Sequence, residues 1–118
     1  MPTRFEASLR ERWLHLVARH AEAYPNEYRR STERHYIGFG SVRLWFNDEG
    51  EQQERTGNLL NISHGGLMVK QYQELEPGTP LKLEVVVGED TLQLAGHAAH
   101  CTQTLGGYKV GVELEFED

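Results

Sequence analysis

Apolar and polar residues follow two different periods along this chain. Phe5, Leu9, Trp13, Leu16, Val17, His20, Ala21 and Tyr24 recur at three- and four-residue intervals, the spacing that puts side chains on one face of an α-helix. Thr3 and Glu6 have the spacing of a capping box at its start. The pattern predicts an amphipathic helix that ends near Pro25. Arg4, Glu6, Arg10, Glu11, Arg19 and Glu22 fall mostly on the opposite side, where their charges are solvated.

From Tyr36 onward the period is two. Leu44 and Phe46 alternate with Arg43 and Trp45; Leu81, Leu83, Val85 and Val87 alternate with Lys82, Glu84 and Val86; Val110, Val112, Leu114 and Phe116 alternate with Lys109, Gly111, Glu113 and Glu115. Such alternation belongs to antiparallel strands with one face on a core. Turn-forming clusters divide them at Asn47–Gly50, Pro77–Pro80, Gly88–Asp90 and Leu105–Gly107. Short strands at regular spacing, with no helical crossover, predict a mainly β fold: a six-stranded antiparallel barrel preceded by an N-terminal amphipathic helix. The helix and its connector are expected over 1–27 and the barrel over 28–118. A stripe containing Phe5, Trp13 and Val17 is too apolar for water. It is expected either to cover the chain's own barrel or to form a homodimer through the helix.

Composition narrows the function. The 118 residues suit a single domain. Cys101 is the only cysteine, so there is no internal disulfide and a reduced, cytoplasmic setting is expected. No run of about 18 apolar residues suggests membrane insertion, and the N-terminal stretch is too charged for a signal peptide. The net charge of −6 argues against a DNA or RNA binder, whose affinity comes from neutralising phosphates. That total hides an asymmetry. Residues 1–43 hold eight arginines and no lysine against five glutamates, whereas the remainder carries thirteen acids and four bases. An arginine fork grips a phosphate or a base edge bidentately, and so the basic segment points to a small anionic ligand.

Two elements carry the candidate chemistry. The first is Tyr28-Arg29-Arg30-Ser31-Thr32-Glu33-Arg34, and the second is Asn61-Ile62-Ser63-His64-Gly65-Gly66-Leu67. In order and separation they resemble the RxxxR and [D/N]xSxxG motifs of the PilZ family, bacterial receptors for cyclic di-GMP. Arg30 and Arg34 match the first motif; Asn61, Ser63 and Gly66 match the second. The Gly-Gly-Leu-Met-Val stretch, the Pro-Gly-Thr-Pro-Leu turn and the closing Gly-Tyr-Lys-Val-Gly-Val-Glu-Leu also look like that family's barrel, so the resemblance spans roughly 28–116 and leaves out the helix.

The resemblance implies a stand-alone, non-enzymatic receptor that binds cyclic di-GMP and relays the signal to an effector protein in motility, biofilm formation or virulence. Arg30 and Arg34 would be the chief anchors, by bidentate bonds to guanine O6 and N7 or to phosphate. Asn61 and Ser63 would hold the second side, and Gly66 would let the ligand approach the backbone. Arg29 is a further candidate for stacking on a purine, and His100, on a strand where the family can place a flat side chain, is another. Each has a plainer reading: arginines that solvate a linker, an Asn and a Ser that form a turn, glycines that mark a bulge. The alternative function is a PilZ-like protein-interaction module without nucleotide binding. A small metal enzyme built on His97, His100 and Cys101 is disfavoured, because in a regular strand His97 and His100 point to opposite faces and no second ligand group follows at zinc spacing.

Overall fold

The computed structural model describes residues 8–23, 35–36 and 40–116, with the backbone alone for 21–23 and 35–36. One helix, α1 (Leu9–Ala23), precedes seven strands: β1 (His35–Tyr36), β2 (Ser41–Asp48), β3 (Glu51–Ser63), β4 (Gly66–Gln71), β5 (Pro80–Val87), β6 (Asp90–Thr104) and β7 (Gly107–Glu115). The strand order is β1-β3-β2-β5-β6-β7-β4, and β4 pairs again with β3. That extra pairing closes β2 to β7 into a six-stranded antiparallel barrel. The two-residue β1 lies beside the far end of β3, with His35 opposite Ile62 and Tyr36 opposite Asn61.

Four of the five connections are two-residue hairpins, so register passes directly from strand to strand. In the β2–β3 turn Glu49 and Gly50 both have positive φ, 52° and 85°, the left-handed pair whose twist matches the flanking strands. Only β4 to β5 needs a longer link, and it drops Leu75 into the barrel, where the side chain is buried. Leu44, Leu59, Ile62, Val69, Leu83, Val85, Val110 and Val112 fill the interior.

The helix completes this core. Trp13, Leu16 and Val17 are buried in the same cluster as the strand residues, with Leu9 packed against it. Of the two uses expected for the apolar stripe, the structure shows the first: it lies on the chain's own barrel. Arg19 pairs with Asp90 at 2.7 Å, and Arg10 sits 5.2 Å above the ring of Phe116, holding the helix at both ends. The described helix begins later than its apolar spacing suggests. Ser8 is the cap: its N–H donates to Glu11 at 2.9 Å, and the Glu11 N–H donates to Ser8 Oγ at 3.1 Å. This is the reciprocal box expected of Thr3 and Glu6; those two residues and Phe5 lie outside the described residues.

Candidate functional site

Two strands carry one residue too many. In β3, Leu59 pairs with Val69 and Asn61 with Met68, so Leu60 is a bulge. In β6, Ala98 pairs with Val112 and His100 with Gly111, so Ala99 is another. A bulge moves every following side chain to the other face of its strand. Leu59 and Ala98 point into the barrel, and Asn61 and His100, two positions later, point out.

Both bulges feed one row across the outside. Tyr36, Asn61, Met68, Gly111 and His100 are successive register partners on β1, β3, β4, β7 and β6. Asn61 and His100 are thus three strand spacings apart, about 14 Å at the usual 4.8 Å per strand. A second row runs parallel to it through Ser63, Gly66, Glu113 and His97. Asn61, Ser63, Gly66 and His100 therefore share one four-stranded outer face. Arg29, Arg30 and Arg34 lie outside the described residues.

The local chemistry of this face is uneven. Asn61 is only 8% exposed, yet its amide makes no hydrogen bond to a described residue. Its polar atoms still reach the solvent, so the amide is open to a molecule laid on this face. Ser63 Oγ donates to the Gly66 carbonyl at 3.4 Å across the β3–β4 turn. Gly66 has a reason of its own to lack a side chain, since a Cβ there would stand 2.2 Å from the Val112 carbonyl oxygen. At Gly111 a Cβ would stand 2.2 Å from Nε2 of His100. The imidazole thus lies over the bare β7 backbone, reaching along the row towards Met68. Met68 and Gly111 lie in stretches that resemble the family's barrel but in neither the RxxxR nor the NxSxxG motif; counting register outward from Asn61 is what places them beside it.

The expectation that His97 and His100 face opposite ways is corrected by the Ala99 bulge, which turns both outward. His97 sits between two carboxylates, 2.8 Å from Glu115 and 3.4 Å from Glu113. Cys101 instead turns in, where its sulfur accepts from the Leu75 N–H at 3.5 Å. The three residues do not converge, and no metal-binding group of three or more His, Cys, Asp or Glu occurs among the described residues.

The site is tied to the helix from below. The Trp13 indole N–H donates to the carbonyls of Ser63 and His64, at 3.0 and 3.2 Å, so the most buried side chain of α1 pins the turn of the second motif. A recess of about 520 Å³ lies elsewhere, beside Leu9, Leu94 and Phe116. Size does not mark a site built on an open sheet face. No described helix is long and apolar enough to cross a membrane.

Comparison with known proteins bears on the fold and the family. A solved structure described as the PilZ domain with c-di-GMP of YcgR from Escherichia coli is similar in fold, with a TM-score of 0.53 at 12% identity over 74% of this chain and 78% of that one. No curated protein matches the chain. A family model described as the PilZ domain matches residues 28–118, most of the chain, and the chain therefore belongs to the PilZ domain family, a family of cyclic di-GMP receptors.

Proposed function

We propose that this protein is a cyclic di-GMP receptor that binds its ligand on the outer face of β3, β4, β7 and β6 and passes the signal to a protein partner. The observation that carries the reading is the Asn61–Met68–Gly111–His100 row, which has an unpartnered amide at one end, a flat imidazole at the other and a low floor between them. A purine ring laid on that floor offers donors and acceptors at its edge to Asn61 and a π face to His100. Ser63 adds a hydroxyl one row along.

The arginines supply the grip. Arg34 is bonded to His35, whose backbone pairs with Ile62 between Asn61 and Ser63, so covalent geometry tethers the RxxxR segment to the edge of this face. Arg30 and Arg34 close on the ligand from there by charge-assisted forks to phosphate or to guanine O6 and N7, with Arg29 available to stack. No catalytic group takes part; binding and a change at the tether are the whole output.

Calorimetry with cyclic di-GMP tests this. Arg30→Ala and Arg34→Ala should each lose about 1.5–3 kcal/mol, a tenfold to more than hundredfold drop in affinity. A native chain that binds no cyclic di-GMP overturns the reading in favour of a protein-interaction module.

A further inference from the structure

The third row of the same face is as informative as the first two. Asn58, Lys70, Lys109 and Thr102 are successive register partners on β3, β4, β7 and β6. The chain has three lysines, and two of them stand directly opposite each other here. Like charges in that relation destabilise a sheet. Lysine often guards an exposed sheet edge, but β4 and β7 are each paired on both sides, so there is no edge to guard. Nor do neighbouring acids offset the pair. The outer positions of this row and the Asn61 row contain no carboxylate, and neither lysine makes an ion pair among the described residues. The only bond that either makes is from Lys70 Nζ to the Leu105 carbonyl, at 3.3 Å. Arg19 and Arg43 each face an acid; Lys82, like these two lysines, makes no ion pair among the described residues, but it stands opposite Trp45 and Ala95 and not opposite another cation. In a chain of net charge −6, an uncompensated lysine pair on a closed barrel is a place prepared for an anion.

We infer that Lys70 and Lys109 form a phosphate subsite that holds one phosphate of the dinucleotide whose base lies on the Asn61–His100 row. This rests on the cyclic di-GMP reading and deepens it. The lysine row lies two residues along the strands from Asn61, about 7 Å, a span that a ribose bridges between base and phosphate. The ligand has two phosphates on opposite sides of its ring. His35, the residue that follows Arg34, pairs with β3 at Ile62, and the lysines sit beyond Asn61 on the other side. Each phosphate then has its own cations, and lysine's compact ammonium suits a point contact where the planar fork is not needed.

The test is calorimetry of Lys70→Gln, Lys109→Gln and the double variant with cyclic di-GMP across a range of sodium chloride concentrations, with melting of the ligand-free proteins alongside. The double variant should bind about tenfold more weakly or worse, with a shallower dependence on salt. Its ligand-free melting temperature should be unchanged or higher, because repulsion has been removed; a purely structural role lowers it. If the native chain binds and Arg30→Ala weakens it while the double lysine variant binds within threefold of native with the same salt dependence, the phosphate subsite is wrong and the receptor reading stands. If the native chain itself does not bind, both fall.

Discussion

The two outer faces of this barrel are made from the same kind of strand and treat their polar groups in opposite ways. On the β2–β5 side the ladders run without a break from Ser41–Val86 to Trp45–Lys82, and around Arg43 the side chains satisfy one another, although Lys82 makes no ion pair among the described residues. Arg43 lies 3.4 Å from Glu54, 3.9 Å from Glu84 and 5.6 Å above the Trp45 ring; the Trp45 N–H donates to Glu54, and Gln93 donates to Glu84. On the β3–β4–β7–β6 side two bulges interrupt the ladders, an amide is left without a partner and two lysines face each other. A surface whose groups are already paired has nothing to offer a ligand. One that holds them apart leaves them available, which is why the proposed site is placed on this face and not on the other.

The largest effect expected is at the point where that second face meets the helix. Trp13→Ala removes a fully buried indole and the N–H shared by the Ser63 and His64 carbonyls. It should lower stability by about 3–5 kcal/mol, measured by chemical denaturation. Trp13→Phe keeps most of the packing and should recover much of that loss, leaving the cost of two turn carbonyls without their donor. Equal losses in the two variants would mean that the N–H, and not the ring, holds the helix down.

The paired face was legible in the sequence and the open face was only half so, for one reason. Residues 81–87 alternate as the spacing predicts in β5, on the paired face, and residues 110–114 do so in β7, the one regular long strand of the open face. The long β3 and β6 do not, because Leu60 and Ala99 each shift the phase midway; a single-period reading therefore sent His97 and His100 to opposite faces. Motif spacing singles out Asn61, Ser63 and Gly66 as candidates without that knowledge, yet it does not show that Met68, Gly111 and the lysine pair lie beside them, because that proximity exists only through register. The helix start offers two boxes of one kind. Thr3–Glu6 and Ser8–Glu11 have identical spacing, and among the described residues it is the second that caps α1.

The next effect in size separates two glycines that look alike in sequence. A methyl group at Gly66 meets the β7 backbone, which cannot retreat without parting two paired strands. Gly66→Ala should therefore cost about 1–3 kcal/mol of stability. At Gly111 the obstacle is the end of the His100 side chain, which rotates away. Gly111→Ala should leave the melting temperature within about 2 °C of native and weaken cyclic di-GMP several-fold, because the imidazole no longer lies over the row. His100→Ala should reproduce the binding loss. A large stability loss in Gly111→Ala would show that the imidazole is fixed by packing, and would remove it from the proposed floor.

The smallest effect is expected on the paired face, and it serves as the control for all the others. Arg43 is about half exposed, as is Glu54, so water and salt screen their attraction and its loss is modest. Arg43→Gln should lower stability by about 0.5–1 kcal/mol, most of it from the ion pairs and the cation over Trp45, and should leave the affinity for cyclic di-GMP unchanged. The comparison with Lys109→Gln is then direct. Each substitution removes one positive charge from one outer face, so any long-range effect of net charge on an anionic ligand is the same in both. Removing Arg43 breaks existing bonds and no binding; removing Lys109 relieves a repulsion and weakens binding. If the two variants instead lose affinity equally, the lysine acts only through the overall field of the protein, and the difference between the two faces is one of architecture without consequence for the ligand.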